Sequence, residues 1–168
     1  MTDRDLGSQE LDLPPSEFST EALWIRLGEA QLKALFQAGH DILGSIHALE
    51  HATIAVLPLF ALCDPRDVGG ASYLAHPDVG GPVVFVYDGY PGGVGIVRAA
   101  FERIGEIMQA AAEMIRACPC AEGCPSCVQS PSCGDANEPL DKLGAALLAE
   151  LLAENWRERF ARGEEGEK

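Results

Sequence analysis

Residues Cys118–Gly134 read CPCAEGCPSCVQSPSCG, and the organisation of the whole chain can be worked out from this stretch. Five of the six cysteines fall within it: a C-x-C, a gap of three residues, a C-x-x-C, and then Cys133 after five more. Zinc has no ligand-field preference and accepts a tetrahedron of thiolates at about 2.3 Å. Pro119, Gly123, Pro125 and Pro131 supply turns that bring closely spaced thiols around one ion. The compact set Cys118, Cys120, Cys124 and Cys127 is the expected zinc site, with Cys133 able to replace Cys118. A four-thiolate site is coordinatively closed and leaves no water to activate, so its expected role is structural. Two other chemistries compete for the same residues. An iron–sulfur cluster also takes four cysteines. A redox pair would use Cys124 and Cys127 alone, but they lack the preceding strand and following helix of a thioredoxin-like motif. Disulfides would require an oxidising compartment, and the polar, acidic N-terminus is not a secretory signal. Cys63 closes an apolar segment and reads as a buried small residue.

The segments on either side of the loop set the fold. Before it, Val94–Ala117 reads as one long helix, with Phe101, Ile104, Met108, Met114 and Ile115 near one stripe. After it, Pro139 opens a last helix, where Leu140, Leu143, Leu147, Leu148, Leu151 and Leu152 form the apolar face. Metal in the loop would clamp these two helices together. Further upstream, Pro82–Tyr87 (PVVFVY) is the clearest strand, apolar on both faces and therefore central. Ala71–His76 is a second strand, after a turn over Asp64–Gly70. Ser45–Leu62 reads as a buried helix capped by Ser45 and interrupted at Pro58. Ala30–Ala38 is helical and stops at Gly39, while Glu21–Leu27 fits either a strand or a helix start. The expected architecture is a mainly helical α/β domain around a small β-sheet, with a four-cysteine zinc loop between two C-terminal helices. Its expected bounds are residues 20–160, between a disordered acidic leader (1–19) and a charged tail (161–168).

With 168 residues and 47% hydrophobic content, the chain can build one core. No apolar run read from the sequence reaches the length of a bilayer span; the longest, Thr53–Cys63, contains Pro58. A soluble, cytoplasmic protein is therefore expected. Twenty-six acidic against 12 basic side chains give a net charge of −14. A chain that grips nucleic acid unaided carries a basic patch, and none is visible.

Two further motifs carry chemistry. His47, Glu50 and His51 (HALEH) lie on adjacent helical faces and match the H-x-x-E-H pattern of inverted zinc peptidases, in which the histidines bind zinc and the glutamate activates water. Glu122 is a conceivable third ligand. The competing readings are a satisfied polar cluster or a functional cluster of another kind, joined by Asp64, Asp67 or Asp88. The second motif, Asp88–Gly95, is a glycine-rich loop between a strand and a helix, a layout that suits anions. It contains neither a Walker A motif nor a complete dinucleotide fingerprint. A tight structural turn and a phosphate contact both remain open.

The blocks SIHALEH, CDPRDVGG, VYDGYPGGVGI, CPCAEGCPSCVQSPSCG and NEPLDKLGA, in that order, resemble the zinc-binding C-terminal domain of MrfA-like DEAD/DEAH-box DNA helicases. The resemblance covers roughly residues 21–152. It implies a domain behind two RecA-like motor domains, with zinc on the cysteines matching Cys118, Cys120, Cys124 and Cys127. It also implies helicases that use ATP, move on single-stranded DNA and act in DNA repair. The motor domains are not in this sequence, which is expected to be a fragment or a stand-alone module without ATPase or helicase activity of its own. Motor domains, in cis or in trans, are the expected partner, with nucleic acid bound as part of the full helicase and no membrane. Two functions follow: a non-catalytic zinc module of a DNA-repair helicase, or a zinc-dependent hydrolase built on the H-x-x-E-H helix.

Overall fold

The computed structural model describes residues 17–162; the leader before Glu17 and most of the charged tail lie outside the described residues. Three strands and five α-helices follow in the order β1 (Ala22–Arg26), α1 (Glu29–Ala38), α2 (Ile42–Val56), β2 (Val68–Tyr73), β3 (Val83–Asp88), α3 (Ile96–Glu102), α4 (Ile104–Ala117) and α5 (Lys142–Ala161). The sheet is antiparallel with order β1-β3-β2, so the PVVFVY strand is central, as its apolar faces require. Residues 22–26 alternate exposed and buried, which settles them as a strand: Leu23 and Ile25 point to the core, Trp24 to solvent.

Helix α2 is the axis of the core. Its Ile46, Ala48, Leu49 and Ala52 are fully buried, and it packs on α4, α5 and the inner face of the sheet. It begins three residues before Ser45, because the Asp41 carboxylate accepts the Gly44 N–H at 2.5 Å and caps the helix there. Pro58 ends it, as expected: the α-helix stops at Val56 and a short 3₁₀ turn follows. The stretch Ile42–Leu59 is long and apolar enough to be considered for a bilayer, contrary to the sequence reading, but 67% of it is buried inside the domain and it serves as a core helix.

Other boundaries also shift. The strand expected at Ala71–His76 starts earlier, at Val68, and takes in Gly69 and Gly70. These glycines have a packing reason. A Cβ on Gly70 would lie 2.5 Å from Glu50 Oε1, and one on Gly69 would collide with the Tyr87 ring. Both side chains occupy the space that side chains at these two positions would need. The long helix expected over Val94–Ala117 is two, broken at Arg103, whose φ of −119° and ψ of 17° are not helical. The last helix starts at Lys142 rather than Pro139, with the Asp141 carboxylate accepting the Gly144 N–H at 2.8 Å.

Helices α2 and α5 approach closely at two glycines. A Cβ on Gly44 would sit 2.9 Å from the Asp141 amide nitrogen, and one on Gly144 would overlap Ser45 Oγ. Gly144→Ala is expected to cost about 1–3 kcal/mol, the usual penalty of overpacking. Urea unfolding with zinc present measures it.

Candidate metal centre

Helix α4 runs out at Ala117, and the chain turns at once into the cysteine loop. Cys118 and Cys120 leave the helix end; Cys124 and Cys127 sit on a tight turn in which the Cys127, Val128 and Gln129 amides all donate to the Cys124 carbonyl. Gly123, at φ 128°, takes a conformation that side-chain-bearing residues avoid. Val128 is fully buried and anchors the turn to the core.

The four sulfurs converge. Cys118 Sγ lies 3.6 Å from Cys120 Sγ and 3.5 Å from Cys124 Sγ; Cys127 Sγ lies 3.5 Å from Cys120 Sγ and 3.8 Å from Cys124 Sγ. Four thiolates around zinc at about 2.3 Å define a tetrahedron with edges of about 3.8 Å. The spacings match that edge and are far beyond a sulfur–sulfur bond of about 2.05 Å. The donor set and its dimensions thus fit zinc. Cys127 is 2% exposed, so the cluster is fixed to the protein interior on one side.

Lys142, at the first position of α5, was not foreseen as part of this centre. It is 6% exposed, and its ammonium donates to the Cys118 carbonyl at 2.7 Å, the Cys120 carbonyl at 2.5 Å and Cys120 Sγ at 3.3 Å. Four thiolates bring two more negative charges than zinc neutralises, and the lysine offsets one of them. It also pins the start of α5 to the loop. Lys142→Met is expected to weaken zinc binding about 10–100-fold, the usual effect of losing a partner of the metal's ligands. Competition with a chromophoric chelator reads this directly.

Cys133 is not at this cluster. Its Sγ lies 3.3 Å from His47 Nε2, and the Asn137 amide donates to it at 3.3 Å. His47, Glu50 and His51 are 6, 7 and 6% exposed and line one cleft of about 430 Å³ between α2, β2 and the loop around Cys133. The H-x-x-E-H residues are therefore together, but the third metal-binding atom beside the histidines comes from Cys133; Glu122 is not among the lining residues. Burial pushes the Glu50 carboxyl up to about 7, against a hydrogen bond from Ser72 and with help from nearby Asp135. Burial likewise lowers the His51 imidazole.

Asp88, expected as a possible fourth member, points elsewhere. Its carboxylate is fully buried and accepts the amides of Val94 (2.6 Å), Gly95 (2.8 Å), Ile96 (3.3 Å) and Val97 (2.9 Å). It occupies the N-terminus of α3, where an anion would otherwise bind, so the glycine-rich loop is a structural turn. Asp67 accepts the Tyr90 hydroxyl at 2.6 Å, and Asp64 pairs with Arg66 on the surface. Cys63 is only half-buried.

Comparison with known proteins agrees with the site. The family model of the MrfA Zn-binding domain matches residues 49–128, which include all four clustered cysteines. Protein MJ1572.1 of Methanocaldococcus jannaschii is 37% identical over 110 residues, covering 64% of this chain and 98% of that protein. The chain belongs to the MrfA zinc-binding domain family. Its cofactor is zinc. The ATP-dependent helicase YprA of Bacillus subtilis is 35% identical over 134 residues, covering 76% of this chain. In the crystal structure of the DUF1998 helicase MrfA bound to DNA and AMPPNP, a segment 32% identical to 85% of this chain superposes with a TM-score of 0.55. The chain spans only 17% of each of these two larger proteins. The similarity is thus to a segment of large helicases and to nearly the whole of one small protein.

Proposed function

We propose that this chain is a non-catalytic zinc module of an MrfA-like DNA-repair helicase, with Cys118, Cys120, Cys124 and Cys127 as its zinc ligands. The observation that carries the reading is the closed sulfur tetrahedron at the junction of α4 and α5. All four corners are protein thiols, so the bound ion has no position for a substrate and acts by holding the two helices and the loop in one arrangement. The functional unit is residues 20–160. It braces the motor domains and helps to guide the strand that they move.

The net charge of −14 supports a dependent role, because phosphate binding draws on counterion release by basic groups. Nucleic acid is engaged by the assembled helicase, and the motor domains are the direct partner, in cis or in trans. The test is to supply family motor domains with the wild-type chain or with Cys124→Ser and to measure DNA-stimulated ATP hydrolysis and unwinding. Restored unwinding with the wild type, and not with the variant, is expected. Unwinding by the motor domains that is indifferent to both chains would reject the helicase role.

A further inference from the structure

A second group of metal-binding atoms lies outside the four-cysteine cluster and is used by nothing described so far. His47 and His51 are one turn apart on α2, with ring centroids 4.5 Å apart. His47 Nδ1 is 3.0 Å from the Pro139 carbonyl and His51 Nδ1 is 2.8 Å from the Val128 carbonyl. A carbonyl only accepts, so each Nδ1 carries a ring proton, and the Nε2 of each ring is the atom left to bind a metal as its lone-pair donor. This is the arrangement that metal-binding histidines use to fix their tautomer and aim. The two rings and Cys133 Sγ offer one ligand atom each, all within 4.8 Å of one another.

We infer that His47, His51 and Cys133 form a second site for a divalent transition metal of zinc type, with its fourth position open to the cleft lined by Glu50 and Asp135. Ideal zinc bonds of about 2.0–2.1 Å to nitrogen and about 2.3 Å to sulfur put the two ligand atoms about 3.6 Å apart. The observed 3.3 Å between His47 Nε2 and Cys133 Sγ needs an adjustment of only a few tenths of an ångström. Binding releases the Cys133 proton to solvent, and the Asn137 amide already donates to that sulfur. The loop holding Cys133 is tied down by the Ser130 amide on Asn137 Oδ1 at 2.7 Å and by Asn137 Nδ2 on the Ser130 carbonyl at 3.1 Å. The chemistry of two imidazoles and one thiolate differs from that of four thiolates. The second ion keeps an open coordination position, where the first has none.

Metal content of the full chain tests the inference. The apo-protein, reloaded with excess zinc and desalted, is expected to hold two equivalents by elemental analysis. His51→Ala and Cys133→Ser should each hold one, and Cys124→Ser should lose at least the four-cysteine ion. Titration with cobalt should give two spectra, one with intense thiolate charge-transfer bands and one weaker spectrum that disappears in His51→Ala. Should Cys133→Ser not fold, the wild-type stoichiometry and the His51→Ala spectrum still decide. A wild type that saturates at one equivalent overturns the second site, as does a His51→Ala variant that keeps both ions. Loss of the ion in Cys133→Ser but not in Cys124→Ser would instead overturn the four-cysteine assignment.

Discussion

Cys124→Ser, or zinc removal by a strong chelator, is expected to lower the melting temperature by about 10–20 °C. Structural zinc contributes about 10–16 kcal/mol of apparent binding energy in zinc-finger peptides, as much as the whole stability of an ordinary domain. This domain does not depend on zinc to that extent, because α2, α4, α5 and the sheet enclose a continuous core. What the metal holds directly is the loop at residues 118–141, which contributes Cys127 and Val128 to that core and whose backbone carbonyls orient Lys142, His47 and His51. A loss of about 5 kcal/mol is therefore expected, at about 2–4 °C per kcal/mol for a chain of this size. Hydrogen exchange should accelerate first across residues 118–141 and the start of α5, and last in the middle of α2. A metal-free chain that melts at the same temperature and keeps its loop amides protected would contradict the structural role.

The strongly patterned parts of this fold could be read from the sequence, and so could the cysteine loop. PVVFVY is central because both its faces are apolar, and Gly39 ends α1 in a left-handed conformation that it adopts without cost. The four clustered thiols were legible because ligands supplied by a ten-residue loop are necessarily close in space. Features that depend on distant partners were not legible. Ser45 resembles a helix cap, but Asp41 lies four residues earlier and takes that role, leaving the Ser45 hydroxyl to bond the Asp41 carbonyl. Gly69–Gly70 has the composition of a turn, yet it is strand, because Glu50 and Tyr87 fill the space of its missing side chains. Cys133 was grouped with its sequence neighbours, while its contact is His47, 86 residues away. Lys142 carries no local sign of its role, since nothing near it in the sequence shows that the first turn of α5 meets the sulfur cluster.

Asp88→Ala is the second large effect expected, and it separates two roles for a residue that the sequence placed with the cleft histidines. The Asp88 carboxylate has no exposure and takes four backbone amides at the start of α3. Its own backbone joins the elements around it: the amide donates to the Glu21 carbonyl, and the carbonyl accepts the Thr20 hydroxyl at 2.8 Å. Alanine keeps these backbone bonds but leaves four converging N–H groups without their acceptor. An unsatisfied buried donor costs about 1–3 kcal/mol, and some of that is recovered where water enters. With several such donors affected at once, a loss of about 3–5 kcal/mol is expected. Asp88→Asn, which keeps one carbonyl acceptor, should lose less. Because the side chain points into the α3 turn and does not line the histidine cleft, zinc content should be unchanged in both variants under folding conditions. Urea unfolding followed by tryptophan fluorescence, with elemental analysis on the same samples, measures both quantities. A variant that keeps full stability but loses metal would return Asp88 to the cleft and remove its assignment as the cap of α3.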